Sequence, residues 1–165
     1  MQIGKLGVWT SQEMLSAADA AAQARRIEAW GYGALWQPEA VGRNVLVHSA
    51  WLLAHTTRLV VATGIANIYA RDPMACAAAQ WTLAEASGGR FLLGLGVSHI
   101  PLVEGVRRHT YGKPVSTMRD YLNAMAKALY MAPRPTEKPP TVVAALGPKA
   151  IWNEFLRDAA VAASV

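Results

Sequence analysis

The sequence predicts an α/β protein in which helices cover a parallel sheet, and three observations carry that expectation. Runs such as LVVATGI and RFLLGL are continuously apolar and of strand length, as strands buried on both faces are. The segments between them have helical periodicity. The two kinds alternate along the chain, which is the pattern of parallel strands joined by helical crossovers.

Taken in order, Gln2 to Val8 reads as the first strand, and Thr10-Ser11-Gln12-Glu13 has the T-x-x-E spacing of a capping box. The helix it opens places Ala17, Ala20, Ala24 and Ile27 on one face and Asp19, Gln23 and Arg26 on the other, with Gly31 as its stop. A strand follows near Ala34 to Gln37, then a helix over Val45 to His55 and a strand over Leu59 to Ile65. Asp72 and Pro73 supply an N-cap and first turn for a helix ending at Ala86. Arg90 to Leu95 is the next strand, and no helix is expected directly behind it. After a longer loop a helix spans Thr117 to Met131, with Met118, Leu122, Met125 and Leu129 as its apolar stripe. APRPTEKPP is a proline-rich connector, TVVAAL a further buried strand, and Gly147-Pro148 the start of a last helix. About five strand–helix units result. They fit an open doubly wound sheet or part of a (β/α)8 barrel, which has eight units and typically about 250 residues.

Composition narrows the function. The 165 residues suit one domain, and 53 % hydrophobic with 16 % charged residues excludes a disordered chain. The 16 Lys and Arg exceed the 11 Asp and Glu by 5 and suit an anionic ligand. They are scattered, with no basic run and no aromatic–basic repeat, so no nucleic-acid partner is expected. A lone cysteine, Cys76, excludes an internal disulfide or thiolate metal site and reads as a small core residue. The amino terminus lacks a signal-like apolar stretch and no run is long enough to span a membrane, so a cytoplasmic protein without a membrane partner is expected.

Few residues carry chemistry. Gly94 and Gly96 in LLGLGVSH invite comparison with a dinucleotide fingerprint, but His99 stands where the third glycine belongs. These glycines either admit a flat ligand or allow tight packing. His99 follows a strand at the end where active-site loops gather, and an imidazole there can exchange a proton. Glu39 sits just past a strand in LWQPEAVG, a place for a ligand contact or a solvated carboxylate. His48 and His55 are seven apart on one helix face without partner ligands, and read as packing or surface residues. Trp30, Trp51, Trp81 and Trp152 fall in helices as core or interface residues, whereas Trp9 and Trp36 lie at strand ends, where a ring ligand is within reach.

Together, LWQPEAVGRN, LVVATGIANIYARDP, LAEASGGRFLLGLGVSH, KPVSTMRDYLNAM and AALGPKA resemble the amino-terminal half of the luciferase-like monooxygenase family, and more narrowly its branch using the deazaflavin coenzyme F-420. The resemblance runs from about residue 3 to Ala150. It implies a TIM (β/α)8-barrel fold truncated to about five units over residues 1–150, followed by an atypical helical tail over 151–165 through Ile151, Phe155 and Ala159. It implies a non-prolyl cis peptide at Gly64–Ile65, within a bulge of Gly64, Ile65, Ala66 and Asn67 that supports the back of the cofactor ring. Glu39 would hydrogen-bond the deazaflavin and act in catalysis; Gly96, Val97 and Ser98 would line the ring. Trp9 would face the substrate, and His99 would contact it as an acid or base. Ala40 stands where sugar-phosphate-oxidising members have a histidine, which argues against that substrate class. The implied activity is hydride transfer between F-420 and a small organic substrate, with FMN-dependent monooxygenation as the alternative. No metal is implied. A third expectation is an inactive half-barrel acting as an interaction module. Open sheet edges and an exposed inner apolar face imply a homo-oligomer.

Overall fold

The computed structural model of the chain describes residue 1, residues 3–144 and residues 160–162. Seven parallel strands form its sheet: β1 (Gly7–Trp9), β2 (Ala34–Gln37), β3 (Val60–Thr63), β4 (Ala66–Asn67), β5 (Phe91–Gly96), β6 (Thr141–Ala144) and β7 (Ala160–Ala162). Their order is β1-β2-β3-β5-β6-β7, with β4 paired to β5 beyond the end of β3. Each new strand is thus added on the same side of its predecessor. A doubly wound sheet reverses direction at a switch point, so this order is that of a barrel wall.

Registers of Leu35 with Val61, Val61 with Phe91 and Leu95 with Val143 put alternate residues on opposite faces. Leu35, Val61, Phe91, Leu93, Leu95 and Val143 belong to the main core, which the helices complete. Those helices are α1 (Ala17–Ala29), α2 (Val45–Ala54), α3 (Pro73–Ala86) and α4 (Pro114–Ala126). The intervening positions Ala34, Val60, Ala62, Leu92 and Val142, with Trp36 against them, form a second cluster on the inner face.

Several boundaries differ from expectation. The first strand is confined to Gly7–Trp9, and Thr10 does not cap α1. Ser16 does, its Oγ accepting from the Asp19 N–H at 3.1 Å. The expected box residues serve tertiary contacts instead: Gln12 Nε2 donates to Gln23 Oε1 (2.7 Å), and Glu13 Oε1 accepts from the Gly42 N–H (3.1 Å). The α1 stop at Gly31 is as expected, with φ +86°. α4 begins earlier, at Pro114 in its first turn, and ends before Leu129 and Met131, which are exposed. A π-helical turn, Pro101–Val106, follows β5 where only a loop was expected. In the expected helical tail, Ala160–Ala162 form β7 beside β6; the remaining tail residues and the helix expected from Gly147-Pro148 lie outside the described residues. Among the described residues no helix is long and apolar enough to cross a membrane.

Candidate active site

The pairing between β3 and β5 slips once. Ala62 pairs with Leu92 and Ala66 with Leu95, so three residues, Thr63 to Ile65, stand opposite two. That is a β-bulge, and it explains why the run LVVATGI does not end as a plain strand. Thr63 bridges the broken ladder with its side chain: Oγ1 donates to Gly94 O (2.7 Å) and accepts from the Gly94 N–H (2.8 Å). Within the bulge the Gly64–Ile65 peptide is cis.

Neighbouring elements hold each bulge residue. The Gly64 N–H donates to Gln37 O at 2.6 Å, and Gly64 O accepts from the Trp9 indole Nε1–H at 2.8 Å. Ile65 O accepts from the Glu39 N–H. The Glu39 carboxylate then turns back onto the same segment. Its Oε2 accepts from the Asn67 N–H at 2.8 Å, and its Oε1 pairs with Arg71. Arg71 Nη1 in turn donates to Asn67 O, and Asn67 Oδ1 caps the 3-10 turn Ile68–Ala70 through the Tyr69 N–H. The Glu39 and Arg71 side chains are only 4 % and 10 % exposed, so this ion pair is shielded from water. Tyr121 on α4 donates to Arg71 O (3.0 Å), and burial pushes its phenol far above the ordinary range. Cys76 is buried beside it, and burial likewise raises its thiol, so it is the core residue expected.

The two glycines of β5 serve packing. A Cβ at Gly94 would lie 2.0 Å from Thr63 O, and one at Gly96 would lie 2.6 Å from Ile65 Cγ1. Gly96 therefore makes room for the bulge rather than for a ligand directly. Beyond it, Val97 packs on the core and Ser98 has φ +57°, its carbonyl accepting from Tyr111 OH at 3.2 Å. Tyr111 stacks on Tyr69, whose OH accepts from the Gly112 N–H. His99 is exposed; its carbonyl accepts from the Leu102 and Val103 N–H groups, and among the described residues no hydrogen bond engages its imidazole.

The structure thus brings Trp9, Glu39, Gly64, Ile65, Ala66, Asn67 and Gly96 into direct contact or register, with Val97, Ser98 and His99 on the chain leaving β5. Arg71, Thr63 and Tyr121 were missed by sequence reasoning. The only signal for Arg71 was its place just before the Asp72 cap. The other candidates lie apart. His48 is buried, its Nε2 3.0 Å from Gln12 Oε1 and its Nδ1 3.1 Å from Arg43. Burial, aided by Arg43, lowers its pKa to about 4. His55 ends α2 and packs on Trp51. Trp30 is 69 % exposed, not core, because it caps α1 at the surface; Trp152 lies outside the described residues. Among the described residues no His, Cys, Asp and Glu cluster could hold a metal.

Residues 3–152 match the family described as Luciferase-like monooxygenase. The chain belongs to that family. A relative in Mycobacterium tuberculosis, whose name assigns it provisionally to the coenzyme F-420-dependent oxidoreductases, is 36 % identical over 124 residues, 74 % of this chain and 35 % of its own length. The chain thus spans about a third of the curated relatives it matches. Among solved structures, the F-420-dependent tetrahydromethanopterin reductase of Methanopyrus kandleri superposes with TM-score 0.72 at 16 % identity, covering 88 % of this chain and 51 % of that one. The oxygenating component of 3,6-diketocamphane monooxygenase from Pseudomonas putida, in complex with FMN, gives 0.65 at 16 % identity, covering 88 % and 52 %. At these identities the likeness establishes the fold alone, that of a TIM barrel, of which the described strands form part of the wall.

Proposed function

We propose that this chain carries the ring-binding part of an F-420-dependent oxidoreductase acting on a small organic substrate. The observation that carries the reading is the bulge at Gly64–Ile65, bolted from one side by Trp9 and from the other by Glu39 and Arg71. The residues present fit a flat ring. Gly64 and Ile65 are half-buried beside the exposed Trp9, while Asn67 Nδ2 is buried without an acceptor among the described residues. When bound, the deazaflavin exchanges a hydride with substrate, and position and proton transfer fall to the protein.

The bulge backbone, with Val97 and Ser98 alongside, would support one face of the ring. Glu39 and Arg71 act on it from behind, since both carboxylate oxygens are already committed to the bulge and to Arg71. This makes Glu39 a positioning residue more than a direct ring contact. His99, exposed at the carboxyl end of β5, would donate or accept the substrate proton, and Trp9 would border the substrate. FMN is the second reading, because a structural neighbour holds it; both cofactors are anionic, and the chain's charge of +5 suits either.

The test is titration of the purified chain with F-420 and, separately, FMN, followed by absorbance and fluorescence. Saturable micromolar F-420 binding is expected. A stronger response to FMN would move the reading to the flavin branch. Absence of binding to both by a folded chain would overturn it in favour of an interaction module.

A further inference from the structure

Beside the bulge lies a cleft of about 290 Å³ between the loop after β2, the segment before α3 and the end of the π-helical turn. Three arginines line it, Arg43, Arg71 and Arg107, against one acidic residue, Glu39. Arg71 is neutralised by Glu39, but Arg43 and Arg107 have no acidic partner among the described residues. Arg43 is tied to Leu15 O and His48, and Arg107 Nη2 donates to Ala40 O at 3.2 Å. Arg107 Nε is buried with no acceptor among the described residues. Buried donors are rarely left unmet, and a guanidinium with unused donors matches the paired oxygens of a carboxylate or phosphate. Near the rim, Glu13 is engaged by the cleft wall itself, its Oε1 accepting the Gly42 backbone N–H.

From this we infer that the cleft is an oxyanion subsite adjoining the ring seat, with Arg107 as its principal ligand and Arg43 as a second positive charge. Glu39 and Arg71 belong to both places, so the anion would sit beside the bulge they hold. The ligand is the phosphate or carboxylate of a molecule in the active site. It comes either from the cofactor side chain or from an acidic substrate. The adjacency to a ring, though not the anion site itself, rests on the proposed function.

The test is calorimetric titration at low ionic strength with inorganic phosphate, then with F-420 and with its phosphate-free ribityl precursor, on the unaltered chain and on Arg107→Gln and Arg107→Lys. Phosphate affinity is expected to fall about tenfold in Arg107→Gln and less in Arg107→Lys, both still folded by circular dichroism. Equal phosphate affinity in all three, or no saturable phosphate binding by the unaltered chain, would overturn the subsite. Given the phosphate loss, a parallel loss of F-420 affinity with the precursor unaffected assigns the anion to the cofactor. Unchanged binding of both deazaflavins assigns it to the substrate. Phosphate binding with neither deazaflavin bound would leave the subsite standing and overturn the ring reading instead.

Discussion

At the scale of single residues, Trp9 couples its side chain directly to the bulge through Gly64. Trp9→Phe keeps an aromatic ring but removes the 2.8 Å hydrogen bond to Gly64 O. It should cost about 1 kcal/mol of stability in urea unfolding and weaken cofactor binding. A Cβ on Gly64 would already stand 3.2 Å from Trp9 Cδ1 and 3.3 Å from Trp36 Cβ. Gly64→Val is therefore expected to destabilise the fold by about 1–3 kcal/mol and to abolish saturable F-420 binding. A folded Gly64→Val variant with unchanged cofactor affinity would exclude the bulge as ring seat. His99→Gln should leave that affinity intact and lower turnover about a hundredfold, read from kcat once a substrate is found. His48 supplies the pH dependence. Its folded pKa lies below the unfolded value of 6.5, so between pH 6.5 and about 4 the unfolded chain takes up the proton. Stability then falls as pH falls, by about 2 kcal/mol between pH 7.5 and 5, and His48→Gln should flatten that part of the curve.

At the scale of elements, two side chains that belong to no catalytic pattern tie the helices to the sheet. Glu28, near the end of α1, accepts from the N–H groups of Thr57, Arg58 and Leu59 where β3 begins. Burial works against its charged form, but those backbone donors prevail and its pKa is lowered. Glu28→Ala should cost about 1–3 kcal/mol by leaving the three donors without this carboxylate, measured as a lower urea midpoint at pH 7. Arg90 does similar work for α2 and α3, donating to Leu53 O, Leu59 O and Ser87 O. Helix positions were largely legible because apolar spacing and the Asp72-Pro73 and Gly31 signals are local. The start of α1 was not, because the residues of its apparent capping box are claimed by Gln23 and Gly42, partners far along the chain.

At the scale of the whole molecule, the strand order leaves β1 with one unpaired edge among the described residues, and an unpaired strand edge is a template for pairing with a second copy. Self-association is expected, seen as a solution mass above 17.7 kDa that rises with concentration in sedimentation equilibrium. A monomer at all concentrations would show that the β1 edge needs no cover from a second copy.

By itself the sequence determined the α/β class, the order of the main strands and helices as far as β6 and, through the family blocks, the bulge at Gly64–Ile65. Those signals are local or are carried by ordered motifs. Only the tertiary structure decided that β3 slips by one residue against β5, that Gly94 and Gly96 serve Thr63 and Ile65, and that Glu39 is spent on Asn67 and Arg71. Each of these depends on which strands and loops become neighbours. The spacing of a glycine or a carboxylate along the chain does not reveal which distant atom will occupy the space beside it.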